Sequence, residues 1–268
     1  MTCNDPSIKH LKQFGYNVFR LPRADAAPLE LLTKSGSDLT RLGHIVDVFD
    51  TDGGALPGIK IGTPGIGISG KETGQLDLGL GLNFLGAIIG AFGGNLGIKA
   101  LYRQARSIVF TYEAVEEESV SPASLDAFLV NARVRNDVRT ISGLLDSDDV
   151  YVFTSVLKTK RIGVEAFASD GVALKLDVPI AQTGVGGQVE VATDRNRESR
   201  LIYEGKISLA FGFQAVRLFY DQGQYQLFKI VAPGAVATRA HGGAANRAPI
   251  DSDAMLTMDA PLIRISGF

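Results

Sequence analysis

Apolar and polar residues alternate with a period of two along several stretches of this chain. Leu76, Leu78, Leu80 and Leu82 alternate with Asp77, Gly79 and Gly81, and Ile108, Phe110 and Tyr112 alternate with Val109, Thr111 and Glu113. Val172, Leu174, Leu176, Val178 and Ile180 oppose Ala173, Lys175, Asp177 and Pro179. After a Gly184 to Gly187 turn, Val189 and Val191 oppose Gln188 and Glu190. Ile207, Leu209, Phe211 and Phe213 oppose Lys206, Ser208, Ala210 and Gly212. Successive side chains of a strand point to opposite faces, so each stretch reads as a strand with unlike faces. Helices are fewer. Asp5 and Pro6 open one that Gly15 closes, with Ile8 and Leu11 on one face and Lys9 near Lys12. Pro28 to Leu32 starts a second, and Pro122 to Ala132, capped by Ser121, and Val138 to Leu145 give two more. Asn17 to Leu21 reads as a strand ending at Pro22, Gly43 to Phe49 as another, and Asp52-Gly53-Gly54 as a turn. Strands outnumber helices without a regular βαβ rhythm. That predicts an α+β fold, a twisted and mainly antiparallel central sheet with surrounding helices.

Composition narrows the function classes. The chain has 268 residues, 45% hydrophobic and 21% charged, with a net charge of −2 and one cysteine. This is ample for a core and fits one large domain or two small ones. It speaks against disorder and against a nucleic-acid partner, and one cysteine allows neither an intrachain disulfide framework nor a Cys-rich zinc site. No charged and then apolar leader opens the sequence, so a cytoplasmic start is expected. Glycine stands out, at 31 residues where average usage of about 7% gives roughly 19. Much of the excess lies between Gly53 and Gly97. Within that window Leu78 to Ile98 carries no charge, and Gly86, Gly90 and Gly94 repeat at four-residue spacing. The stretch has the length of a membrane helix, yet glycine costs about 1 kcal/mol per residue in a helix interior. A glycine-rich core helix packed on a sheet is the better reading.

From Ala235 to Ala254 the apolar period is lost and Ala, Gly, Arg, Asn and Pro dominate, the chemistry of an exposed linker. The chain then turns apolar again at Met255, Leu256, Met258, Leu262, Ile263, Ile265 and Phe268. This tail is either a separable docking peptide or a last strand of the sheet. The expected organisation is a body over 1–234, a protease-sensitive linker over 235–254 and a short tail over 255–268.

Catalytic motifs are weak. Gly65-Ile66-Gly67-Ile68-Ser69-Gly70 spells GxGxxG, but a strand-like pattern follows it and no acid occupies 85–98. Lys71 extends it toward a P-loop, where Glu72 replaces the required hydroxyl. His10, His44 and His241 lack metal-ligand spacing, and no GxSxG elbow is present. Glu116, Glu117 and Glu118 read as a solvated loop. No cofactor, no metal and no catalytic residue is expected. Cys3 is either an incidental thiol or, beside the basic helix of Lys9 and Lys12, an acylation site; Thr2 excludes N-myristoylation.

The opening, Cys3 followed by Leu11-Lys12-Gln13-Phe14-Gly15-Tyr16 and Val18-Phe19-Arg20-Leu21-Pro22, resembles the N-termini of bacterial gasdermins. Asp25-Ala26-Ala27-Pro28-Leu29-Glu30-Leu31-Leu32 is similar to the Asp-x-x-Pro-Leu segment near the start of animal gasdermins. The resemblance implies a cytoplasmic effector of cell death linked to defence against phage. An associated protease would remove the short inhibitory tail, and the body would assemble from monomer into a large homo-oligomeric β-barrel pore in the inner membrane. It also implies a palmitoyl group on Cys3. Arg239 and Arg247 suit a trypsin-like protease, and Asp251 or Asp253 a caspase-like one.

Membrane strands need about 9 to 11 residues with one apolar face. Gly74 to Leu82 with some extension, Gln104 to Val115, Gly171 to Ala192 and Leu201 to Gln214 qualify. The insertion candidates are Leu76, Leu78, Leu80, Ile108, Phe110, Leu174, Leu176, Val178, Ile207, Leu209, Phe211 and Phe213. In a water-soluble state the same faces would pack on the core. Lys9, Lys12, Arg195, Arg197 and Arg200 are the basic candidates for anionic headgroups, the three arginines equally suiting a solvated turn. Leu256, Leu262, Ile263, Ile265 and Phe268 are the candidate inhibitory contacts. Competing readings are a β-rich binding or structural module and an enzyme that uses Gly65 to Gly70.

Overall fold

The computed structural model describes residues 11–50, 54–65, 75–77, 81–82, 85–86, 88–89, 102, 104–175, 189–221, 224–226, 254–260 and 262–267. Its strands in chain order are β1 (Asn17–Arg23), β2 (Glu30–Ser35), β3 (Asp38–His44), β4 (Phe49–Asp50), β5 (Ile59–Pro64), β6 (Leu76–Asp77), β7 (Ser107–Glu113) and β8 (Glu116–Val120). There follow β9 (Arg133–Val134), β10 (Val150–Phe167), β11 (Val189–Thr193), β12 (Arg200–Arg217), β13 (Phe219–Asp221), β14 (Gln224–Gln226) and β15 (Ile265–Ser266). Four-residue, ten-residue and eight-residue helices occupy Ile45–Val48, Pro122–Asn131 and Arg139–Asp146.

Two strands of 18 residues, β10 and β12, form the spine and pair antiparallel from Tyr151↔Arg217 to Glu165↔Arg200. β10 is rich in β-branched residues, among them Val150, Val152, Thr154, Val156, Thr159, Ile162 and Val164, which favour the extended backbone. Its other edge carries three antiparallel partners in succession: β2 on Val150–Val152, β8 on Ser155–Lys158 and β7 on Arg161–Phe167. β7 and β8 therefore run in one direction as a single strand broken at Ala114, whose φ of 47° lies in the left-handed region. β6 pairs β7 and β11 pairs β12, both antiparallel, so the amphipathic stretches meet two by two where they are described.

At the other end the sheet closes. The path β1-β12-β10-β2-β3-β15 makes six staves, and Ile263, just ahead of β15, bridges back to Phe19 in β1. β15 is parallel to β3 and the Ile263 bridge is parallel to β1, while the other pairings are antiparallel, so the strand directions close consistently around the ring. Each stave turns alternate side chains to one core: Phe19, Leu32, Leu39, Tyr151, Phe153, Phe213, Ala215, Ile263 and Ile265 all belong to it. The rings of Phe19, Phe153 and Phe213 meet at centroid distances of 4.8 to 6.1 Å. A second core lies where β7, β10 and β12 run out of the barrel, with Tyr112 stacked on Phe211 at 4.0 Å. A third packs the Pro122–Asn131 and Arg139–Asp146 helices against Val150, Val152 and Val216.

The structure corrects several expectations. Pro28 to Leu32 is not helical: Leu29 has φ 71°, and Leu31 and Leu32 enter different cores, which requires the alternation of β2. Gly43 to Phe49 is not one strand. β3 ends at His44, which caps the Ile45–Val48 turn, its Nδ1 accepting from the Val46 N–H and its own N–H donating to Asp47. Leu82 is helical rather than strand, because Leu85, Ile88 and Ile89 place an apolar helix face on the core. That agrees with a glycine-rich core helix at the described positions. Glu116, Glu117 and Glu118 form β8 rather than a loop, and the latter two are half-buried acceptors. Ser121 stands at the predicted N-cap without a side-chain hydrogen bond, leaving Pro122 to start the helix. Val172 is exposed, and 176–188 lie outside the described residues.

Phe213→Ala removes the ring that touches both Phe19 and Phe153, and a Phe→Ala change in a core costs about 3–5 kcal/mol. Urea unfolding of the full chain is expected to show that loss as a lower midpoint with an unchanged slope.

Candidate functional site

Residues 254–260 and 262–267 are built by alternation. Leu256 and Met258, then Ile263 and Ile265, are buried in the barrel core, while Thr257, Asp259, Arg264 and Ser266 are exposed. Each buried side chain contributes about 1.5–3 kcal/mol, much of it offset by the entropy of ordering the segment.

Backbone pairing fixes its path. Arg217 N–H donates to Ala254 O and Leu256 N–H to Ala215 O, both at 2.8 Å, so the segment starts along the end of β12. Further on, Ile263 N–H donates to Val18 O at 2.8 Å and Ile263 O accepts from Arg20 N–H at 2.7 Å. On the opposite side Leu39 N–H donates to Arg264 O at 2.9 Å, and Ile265 and Ser266 pair with Leu39 and Thr40. The segment thus hydrogen-bonds to β1 on one side and β3 on the other.

Side chains near the N-terminus complete the hold. Buried Asn17 acts as a piece of backbone: its Nδ2 donates to Leu256 O at 2.7 Å and its Oδ1 accepts from Met258 N–H at 3.2 Å. Lys12 Nζ donates to Met258 O at 2.8 Å and Ala260 O at 3.1 Å, where the segment bends. Arg23 Nη1 donates to Ile265 O at 3.0 Å. Next to Asn17, Tyr16 donates its hydroxyl to Glu117 at 2.9 Å, and Ser155 donates to the same carboxylate oxygen. Burial, with the neighbouring carboxylate, pushes the Tyr16 phenol well up, so it stays a donor. The N-terminal strand is thereby tied both to the C-terminal segment and to β8.

Of the tail residues expected from the sequence, Leu256, Ile263 and Ile265 are buried, Leu262 is half-buried against the second core, and Phe268 lies outside the described residues. Cys3, Lys9, Arg239, Arg247, Asp251 and Asp253 also lie outside them. Lys12 faces the tail carbonyls in this state. Arg195 is exposed and Arg197 reaches Glu165 at 3.4 Å. Arg200 is the exception to the basic turn: it is buried between Glu113 at 3.8 Å and Asp194 at 3.7 Å, so it does not offer its charge to a surface. Ile108, Phe110, Leu209, Phe211 and Phe213 are buried, Leu174 is half-buried and Ile207 exposed. Leu76 lies in β6, and Leu78, Leu80, Leu176 and Val178 fall outside the described residues. Sequence reasoning missed Asn17 and Glu117. The signal for Asn17 was a strand-averse residue opening an otherwise apolar strand. Among the described residues no cluster of His, Cys, Asp or Glu could hold a metal, and no helix is long and apolar enough to cross a membrane.

Comparison with known proteins agrees with this architecture. A chain from a Desulfuromonadales bacterium named Gasdermin bGSDM is 42% identical over 269 residues, covering 100% of both sequences. A protein of the same name from Lysobacter enzymogenes is 40% identical over 262 residues, covering 95% of this chain and 97% of its own. The solved structure of a bacterial gasdermin from Bradyrhizobium tropiciagri superposes with a TM-score of 0.59 at 14% identity, over 98% of this chain and 96% of the other, and is similar in fold. The sequence model of the Bacterial Gasdermin Family matches residues 19–224, and with these relatives it establishes that the chain belongs to the bacterial gasdermin family.

Proposed function

We propose that this chain is an autoinhibited pore-forming protein whose C-terminal segment is the inhibitor. Family membership makes it a pore-forming protein rather than an enzyme, with membrane insertion as its mode of action. The observation that carries the finer reading is the insertion of 263–266 between β1 and β3, with 254–256 laid along the end of β12. A body that needs a last, separable stave to close its barrel changes state when that stave leaves.

Proteolysis within 235–254 is the proposed trigger. A tethered peptide sees an effective concentration near the mM range, which is lost on cutting. A segment of roughly μM affinity therefore stays docked before the cut and dissociates after it. The released body then oligomerises, and its amphipathic strand pairs, β6 with β7 and β11 with β12, lengthen into a transmembrane β-barrel. Palmitoylation of Cys3 would add a lipid anchor, which one acyl chain alone supplies only weakly. Killing of the host cell at its inner membrane during phage infection is the proposed outcome, with an associated protease as activator. A β-rich binding module without pore activity would leave membranes intact under every treatment.

Liposomes loaded with dye separate these readings. Intact protein is expected to be inert, and protein carrying an added protease site within 235–254 should release dye only after cutting. Inactivity of every cut form, Cys3-acylated forms included, would refute the pore. Ile263→Asp places a carboxylate in the barrel core and Asn17→Ala leaves the Leu256 carbonyl and Met258 amide without their partner. Each is expected to raise release from uncut protein at least about tenfold, equivalent to ~1.4 kcal/mol of docking free energy. Leakage equal to that of the unaltered chain would show that docking does not restrain the body. Cys3→Ala should weaken cell killing with no change in melting temperature; full killing together with an unlipidated Cys3 by mass spectrometry would remove the anchor from the scheme.

A further inference from the structure

The segment 263–266 touches two strand edges that differ from each other and run the same way. Ile263 is parallel to Phe19 of β1, and Ile265 and Ser266 are parallel to Leu39 and Thr40 of β3. β1 and β3 are therefore parallel to one another across the width of a single stave. With the segment gone, β1 presents Val18 C=O and Arg20 N–H, and β3 presents Leu39 N–H. Exposed rows of this kind template pairing with another chain. The same step uncovers Phe19, Leu32 and Leu39, which lie in the core beneath it.

We propose that these two edges are the surface on which neighbouring copies of the chain assemble, β1 of one copy taking the stave position on β3 of the next. The proposal rests on the pore reading above and names the contact within it. The occupant is a second copy for three reasons. First, the position beside β3 is filled in this structure by a parallel strand, and β1 runs the same way, so copies join without inverting. Second, β1 brings Phe19 on its inward face, two residues from the buried Asn17, and can cover Leu39 as Ile265 does. Third, the two edges are not alike, so the contact is heterologous and each joined pair still has one free β1 and one free β3. Repeated with a constant rotation, such contacts close into rings.

The rival is closure inside one chain, with β1 moving onto its own β3. That contracts a barrel of six staves to five. Barrel diameter scales with strand number, and interiors are packed to crystal density. The ring trio of Phe19, Phe153 and Phe213, at 4.8 to 6.1 Å, fills the space that contraction would remove. Joining copies leaves that trio in place.

Arg20 is exposed, while its neighbour Phe19 points inward, so position 20 reports what lies beside β1. Benzoylphenylalanine is placed there in the full chain, which keeps Cys3, together with the added protease site. Unlabelled and ¹⁵N-labelled protein are mixed equally on dye-loaded liposomes, irradiated before and after cutting, and mapped by mass spectrometry. Before the cut, cross-links should fall on 263–265 of the same copy. After it, they should move to 38–42, with about half joining labelled to unlabelled chains as random mixing of a heterologous contact requires. Cross-links confined to one isotope show closure within the chain and overturn the proposal. So do links from position 20 to β1 of another copy, or dye release with no link to 38–42; in both cases the pore reading stands. Mixed-isotope links to 38–42 without dye release would uphold the contact and tell against the pore.

Discussion

Everything at the barrel end of this molecule depends on the backbone hydrogen bonds that one short segment makes to two strand edges at once. β1 and β3 are too far apart to pair directly, and each would otherwise carry unpaired N–H and C=O groups over an apolar interior. The segment satisfies both rows through alternate peptide groups, Ile263 toward β1 and Arg264 toward β3. Its inward side chains fill the core in the same stroke. Because pairing and burial are coupled in one element, the segment docks as a unit rather than residue by residue.

The N-terminal strand is the other half of this arrangement. Tyr16 binds Glu117 of β8, Asn17 binds two peptide groups of the C-terminal segment, and Val18, Phe19 and Arg20 form the edge itself. Five successive residues thus couple the strand that runs on from β7 to the segment that closes the barrel. Asn17 is the most economical of them. Its amide has the same donor and acceptor as a peptide group, so it extends the ladder to Leu256 and Met258.

Much of this was legible in the residues, and the failures have physical causes. The period of two located β7, β11 and the middle of β12, since one face of each meets the core and the other is more polar. The same signal cannot show β10, the longest strand together with β12, because Val150 to Thr159 is buried on both faces and does not alternate. Pro28 suggested a helix start, but the burial of both Leu31 and Leu32 in different cores decided for a strand. The acidic run Glu116 to Glu118 looked solvated because its partners, Ser155 and Lys158, are remote in sequence. The apolar tail was visible as such. That it sits between two edges was not, since no local pattern encodes a partner some 240 residues away.

That separation has a consequence for how the molecule comes into being. Lys12 and Asn17 leave the ribosome well before the groups they hold at Met258 to Ala260. At about 5–20 residues per second, a body ending near Arg217 precedes its stave by several seconds. Throughout that interval the nascent chain carries the β1 and β3 edges without their cover. Closure of the barrel is therefore a property of the finished polypeptide alone, and a truncated translation product is born with both strand edges open.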